Sequence, residues 1–276
     1  MATNSKYTPA PQRDSLDSRP YTQSPPSYQA TSGSTGGLLD GHPRYEDDNV
    51  PDDFKFGNSV AETTLPIRMQ FIRKVYFILS LQILFTTVVS CVSFVSDSYR
   101  TWIQSHSWLV LVSAVSALVF MGLTYWKRKS YPANLIFLSI FTALEAYAIS
   151  VVTSFYDARV VLLALILTQG IFVALTLFAC QTKYDFTSWV PYLFGGLWFL
   201  ILFGFVAAFM GPSSKVELVY GAVTALLFSA YVLVDTQLIM RHYHVEEEIA
   251  AAISLYLDIV NLFLAILRIL NSQSSD

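Results

Sequence analysis

Two aspartates stand where hydrocarbon is expected. Asp235 lies in VELVYGAVTALLFSAYVLVDTQLIM (216–240) and Asp258 in IAAAISLYLDIVNLFLAILRIL (249–270), two consecutive apolar stretches. An ionised carboxylate in the middle of a span costs roughly 2.5–3.5 kcal/mol on insertion scales, so such residues face protein or water and mark functional positions. A third acid, Glu145, sits in the apolar stretch FTALEAYAIS. No Lys, Arg or His occupies the interior of these stretches, so no cation neutralises the acids from within. Two nearby carboxylates without a cation cannot comfortably both ionise, and the pair is expected to share one proton. That is the chemistry of a pH sensor or a cation site. The bland alternative gives each aspartate a separate hydroxyl or amide partner in a helix contact.

Helical spacing places the two aspartates on facing surfaces. In the second stretch Ala251, Ser254, Asp258, Asn261 and Ala265 form a narrow stripe of small and polar residues among Leu, Ile, Val and Phe. Small residues let helices approach closely in a bilayer, and polar ones need partners there. In the first stretch Thr224, Tyr231 and Asp235 share a face. At ~1.5 Å rise per residue, an antiparallel pair puts the two aspartates at depths that differ by about 5 Å. Tyr231, Ser254 and Asn261 are the expected polar support. Glu145, near mid-bilayer in its own span, is either a further station on an ion path or a structural partner of Tyr and Thr neighbours.

The elements that carry these residues are membrane spans. With 54% hydrophobic and 13% charged residues among 276, the chain is too apolar for a soluble domain of its length. Seven apolar segments near the ~20 residues that cross a bilayer follow Phe71, at about 71–95, 107–126, 132–155, 160–180, 189–210, 216–240 and 249–270. Pro66, Pro132, Pro191 and Pro212 fall at segment edges, where helices accept proline. The fold class is therefore an all-α, seven-span membrane protein. Cys91 and Cys180 lie within apolar runs and read as small buried hydrophobes rather than a disulfide.

Residues 1–66 differ in kind. They hold five Lys/Arg against nine Asp/Glu and the acidic run EDDNVPDD, and seven of the eleven prolines precede Pro66. Without a hydrophobic period, this tail is expected to be disordered. No apolar stretch near Met1 resembles a cleavable signal, so the first span is expected to direct insertion itself. Pro25-Pro26-Ser27-Tyr28 matches the Pro-Pro-x-Tyr ligand of WW domains, either by chance in a Pro-rich tail or as a working motif that takes a WW-domain ubiquitin ligase as partner and requires a cytosolic tail. Lys and Arg beside the spans agree with that side: Arg68, Arg73, Lys74, Lys127, Arg128, Lys129, Lys183 and Arg241 flank the tail side, against Arg100, Arg159, Lys215 and Arg268 opposite. His242 and His244, with Glu246, Glu247 and Glu248, form either a metal cluster or, more simply, a solvated loop.

YPANLIFLSIFTALEAY (131–147), VLVDTQLIM (232–240) and LYLDIVNLFLAIL (255–267), in that order on seven spans, resemble the Bax inhibitor family, also called the lifeguard or transmembrane Bax inhibitor motif proteins. The resemblance covers about residues 67–270 and leaves the tail outside. It implies a fold with the last helix central and six around it, preceded by the tail. It also implies a calcium leak through intracellular membranes such as the endoplasmic reticulum, vacuole or Golgi, with Ca²⁺ as permeant ion and no tightly bound cofactor. Asp235 and Asp258 then correspond to the family's gating pair, a weak Ca²⁺ site, and the partners are the bilayer and cell-death regulators rather than nucleic acid. Members restrain programmed cell death and are linked to the unfolded protein response. The Pro-Pro-x-Tyr tail on such a core points to a fungal or other eukaryotic member. The arginine latch of bacterial relatives has no counterpart in the interior of the second span.

Other classes fit less well. An intramembrane aspartyl protease needs Tyr-Asp and Gly-x-Gly-Asp settings, whereas Val234 and Leu257 precede the two aspartates, so no enzymatic role is expected. A retinal protein needs a lysine in the last span, which has none. The serious alternative is a non-conducting scaffold that binds death regulators.

Overall fold

The computed structural model of the chain describes residues 59–128, 130–210 and 214–274. Pro25-Pro26-Ser27-Tyr28 and Pro212 lie outside the described residues. Eight α-helices follow one another: α1 (Leu65–Val95), α2 (Asp97–Ser105), α3 (Leu109–Trp126), α4 (Ala133–Ser154), α5 (Ala158–Gln181), α6 (Val190–Met210), α7 (Ser214–Arg241) and α8 (Glu248–Ser274). Short 3-10 helices stand at Val60–Glu62 and Thr187–Trp189. All but α2 belong to segments long and apolar enough to cross a membrane, seven in number among the described residues.

α8 is the centre. Of its most apolar window 72% is buried, against 39% or less for each of the other six candidate spans. Apart from the stripe of Ser254, Asp258 and Asn261 it is apolar around its circumference, as a helix without a lipid face must be. α1, α5 and α7 pack closely on α8, while α3 and α4 touch it more lightly. α6 departs from the expected ring of six: it packs on α7 and makes no extended contact with α8.

α1 illustrates how the outer helices are built. Phe71, Val75, Leu79, Gln82, Thr86, Ser90 and Ser93 are its buried residues, spaced four and three apart, and they include four polar side chains. Gln82 donates to Thr142 Oγ1 on α4 (2.9 Å), and Thr86 shares a hydrogen bond with Tyr256 Oη on α8 (2.9 Å). The opposite face carries Phe77, Leu81, Leu84 and Val88, all exposed to where lipid would lie. This inversion, apolar outside and partly polar inside, follows from replacing water by hydrocarbon.

Three sequence expectations change. The tail was placed at 1–66, yet Val60–Glu62 is helical, Val60 is fully buried, and α1 begins at Leu65 with Pro66 in its first turn. Three residues are too few to show a hydrophobic period. Cys91 and Cys180 are exposed on the outer surface rather than buried, because an apolar neighbourhood does not separate core from lipid face in a span. Cys180 Sγ lies 3.5 Å from Met240 Sδ.

The third change is α2, which falls in what had read as a connection and an approach to the second span. It is nine residues long, buries only Ile103, and starts where the Ser96 hydroxyl accepts from the Tyr99 N–H (3.4 Å). Its charged and aromatic residues hide it from any count of apolar runs. It fastens α4: Arg100 donates through Nε and Nη2 to the Ser154 carbonyl (3.0 and 2.7 Å), and Gln104 donates to the same oxygen (2.8 Å). The last carbonyls of a helix lack intrahelical partners, and a cation there also opposes the helix dipole. Arg100→Ala is expected to cost about 1–3 kcal/mol, read as a lower thermal midpoint in detergent; an unchanged midpoint would show that Gln104 alone secures the end.

Candidate functional site

α7 and α8 are joined by residues 242–247, a connection short enough to force an antiparallel neighbour. Their close approach rests on Gly221: a Cβ at that position would lie 3.0 Å from Ile269 Cγ1 and 3.2 Å from the Ala265 carbonyl oxygen. Asp235 stands six residues before the end of α7 and Asp258 ten residues into α8. The two carboxylates therefore lie about 9 and about 15 Å along their helices from the same loop.

Asp258 is buried, with 4% of its surface exposed, and its Oδ2 has no hydrogen-bond partner among the described residues. Asp235, half-buried on the facing helix, lies close enough for its charge to act on Asp258. Among the described residues neither carboxylate forms an ion pair with Lys, Arg or His. Tyr231, one turn before Asp235, lies within reach of both charges. Asp235, Asp258 and Tyr231 thus lie near one another.

The remaining site residues are placed differently. Asn261 donates to the Leu257 carbonyl of its own helix (2.8 Å), which satisfies its amide without the pair. Ser254 bonds back to the Ala250 carbonyl (3.2 Å) and pairs with Tyr243 Oη (3.1 Å), one turn nearer the loop than Asp258. Glu145 is half-buried on α4, and the α8 group within reach of its charge is Tyr256. Tyr256 and Asp258 are two residues apart and so point about 200° apart around α8. Glu145 belongs to the other side of the central helix. No group of three or more His, Cys, Asp or Glu side chains suited to a metal is gathered among the described residues, the His242/His244 loop included.

Between the pair and the loop end lies a polar and aromatic layer that the span-by-span reading had not identified. Tyr125 of α3 sits beside Ser254 and within reach of Asp235's charge. Tyr243, in the loop, is half-buried, and burial pushes its hydroxyl well above the usual range. Arg128, after α3, pairs with Glu247 before α8 (3.1 Å). The Val60 N–H donates to the Tyr243 carbonyl (2.9 Å), and Ser59 bridges to His244. Gln237 is fully buried, accepts from the Phe186 N–H (2.7 Å) and donates to the Tyr184 carbonyl (2.8 Å). It ties α7 to the α5–α6 connection. In that connection the Thr187 hydroxyl and N–H both donate to Asp185 Oδ1 (2.7 and 2.9 Å), which holds the exposed Asp185 carboxyl below the usual range. These connections share one end of the bundle, where Arg128, Lys183 and Arg241 lie.

Gln237 stands two residues after Asp235 in the quoted Asp-Thr-Gln motif, and that adjacency was its only sequence signal. The tyrosines had none, because tyrosine is common throughout these spans.

Comparison with known proteins matches residues 68–275 to the family described as "Inhibitor of apoptosis-promoting Bax1". Protein lifeguard 4 of Mus musculus is 41% identical over 235 residues, covering 85% of this chain and 98% of the relative. Bax inhibitor 1 of Schizosaccharomyces pombe is 35% identical over 255 residues, 92% of each. The Golgi anti-apoptotic protein of Vaccinia virus (strain Lister) is 40% identical over 222 residues, 80% of this chain and 93% of the relative. Animal, fungal and viral relatives stand at similar identity, so the similarity does not single out a fungal origin. The matched region spans all seven candidate spans and both aspartates, and the chain belongs to the Bax inhibitor family.

Proposed function

We propose that the protein is a pH-sensitive calcium leak of an intracellular membrane, controlled by Asp235 and Asp258, which contributes to calcium homeostasis and restrains stress-induced cell death. The observation that carries this reading is the buried Oδ2 of Asp258 beside Asp235, without a hydrogen-bond partner and with no cation in an ion pair with either aspartate among the described residues. A purely structural carboxylate would have its lone pairs satisfied, since an unmet buried acceptor costs about 1–3 kcal/mol. A titrating or ion-attracting carboxylate keeps them free. Ca²⁺ takes six to eight oxygens, more than two carboxylates supply, so occupancy is weak and brief, as a leak requires. Tyr231, backbone carbonyls and water complete the shell during passage. The role is non-enzymatic.

Calcium uptake into proteoliposomes carrying the full chain tests this, with Asp235→Asn/Asp258→Asn as the comparison. Uptake by the wild type and its loss or loss of control in the variant support the leak. No uptake by either protein, with cell protection intact in both, would transfer the role to a scaffold for death regulators.

The tail-side end is proposed to face the cytosol, on the strength of the eight Lys/Arg flanking it against four opposite. In that setting Pro25-Pro26-Ser27-Tyr28 recruits a WW-domain ubiquitin ligase to the tail. Tyr28→Ala is expected to remove the aromatic groove contact and lower ubiquitination of the protein severalfold in cells. Unchanged ubiquitination, or a tail shielded from protease in sealed vesicles, would reject this arrangement.

A further inference from the structure

α1 and α5 both pack on α8 but make no extended contact with one another. Between them runs a cleft of about 300 Å³, floored by α8 at Tyr256, Ile259 and Phe263. Cys91 and Leu162 line it and are exposed, so it opens sideways from the bundle. Along α1 it extends from Ile83 to Val95 and along α5 from Ala158 to Gln169. These stretches are about 18 and about 16 Å long at the helical rise, close to the ~15 Å of one leaflet's hydrocarbon.

Thr87 and Gln169 line the cleft half-buried, and among its buried polar side chains one lacks a partner. Ser90 is 8% exposed, lines the cleft, and its Oγ has no hydrogen bond among the described residues. The neighbouring hydroxyls differ: Thr86 donates to the Gln82 carbonyl (2.9 Å), Thr153 to Ile149 (2.9 Å) and Thr168 to Ala164 (2.7 Å). A water held by Ser90 would need two to four polar partners, which the largely apolar wall does not offer. The depth of Ser90 identifies what does. The apolar part of α1, about 71–95, is about 36 Å long and exceeds the ~30 Å hydrocarbon core by about 3 Å at each end when centred. Ser90, five residues from Val95, then lies about 5 Å inside the hydrocarbon boundary, one helical turn below the level of lipid ester carbonyls.

We propose that this cleft binds one acyl chain of a glycerophospholipid from the leaflet at the α1–α2 corner, with the ester carbonyl accepting a hydrogen bond from Ser90. The chain runs down the cleft towards Ile83 and packs on α8, filling the gap that α1 and α5 leave. The ligand class follows from the wall: an apolar body one leaflet long, and one acceptor at its outer end.

The full chain in phosphatidylcholine nanodiscs doped with a diazirine-bearing phosphatidylcholine provides the test. After irradiation, adducts are expected on 83–95 and 158–169 at least severalfold above those on the lipid-facing Phe199 and Leu202 of α6. Unlabelled diester phosphatidylcholine should compete about threefold to tenfold better than its diether analogue, the range that one net hydrogen bond supports. Ser90→Ala, which removes only a hydroxyl, should abolish that preference while leaving the thermal midpoint nearly unchanged. Leu165→Trp, which fills the cleft, should remove the adducts from both segments. Equal labelling of α6 and the cleft, equal competition by the two lipids in the wild type, or displacement by a sterol instead of the phospholipid would each overturn the proposal.

Discussion

Calcium uptake into proteoliposomes is expected to rise steeply between about pH 5.5 and about pH 8 in the wild type, and the rise is expected to flatten in Asp258→Asn. In the proposed mechanism the pair shares a proton at acid pH. A carboxyl that donates to a carboxylate forms a short, charge-assisted bond, which holds α7 against α8 where Gly221 already lets them meet. When that proton leaves, two negative charges face one another without a Lys or Arg partner among the described residues. Their repulsion favours separation, water entry and attraction of a divalent cation. Below the midpoint of a single titration, the deprotonated fraction changes about tenfold per pH unit, and the open fraction follows it. Asn at position 258 removes the second ionisation and fills the same space, so uptake should vary by less than about twofold over the same range. Full pH dependence in Asp235→Asn/Asp258→Asn would sink the mechanism and move the sensor to Glu145 or to the His242/His244 loop.

Gln237→Leu is the substitution expected to cost most stability outside the pair. It leaves the Phe186 N–H and the Tyr184 carbonyl without their partner. Each unmet backbone group costs about 1–3 kcal/mol when water cannot reach it. The Tyr184 side is open to solvent and recovers part of its loss. A net penalty of about 2–4 kcal/mol remains, expected as a lower unfolding midpoint and faster proteolysis between α5 and α6. Gln237→Glu keeps the acceptor for Phe186 and loses the donor for Tyr184, so an intermediate penalty is expected. If Gln237→Leu unfolds at the wild-type midpoint, the α5–α6 connection is not held by this tie.

Spans were legible because crossing a bilayer imposes length and composition on a helix, and seven stretches met both demands. The aspartate pair was legible for the complementary reason: a charge in hydrocarbon is conspicuous. What could not be read was polar structure at the bundle's ends. Arg100, Arg128 and Gln237 act through partners 54, 119 and 51 positions away in the chain, on Ser154, Glu247 and Phe186. No local period records such pairs. Sequence also could not tell Cys91 and Cys180 from core residues, since lipid and protein interior select the same apolar neighbours. The centrality of α8 came from family resemblance, although its lack of an exposed apolar face, with Ala250 to Ile253 buried in succession, now gives it a physical basis.

The tie between Val60 and Tyr243 places a mechanical link ahead of the first span. A pull on the chain before Ser59 reaches the α7–α8 loop through the Val60–Tyr243 hydrogen bond, the Ser59–His244 bridge and the buried Val60 side chain. Together these resist with about 2–4 kcal/mol, far less than a membrane-embedded helix requires. Under load the link is expected to give way before any span shifts, leaving the loop that joins the two aspartate helices held by Arg128–Glu247 and Tyr243–Ser254.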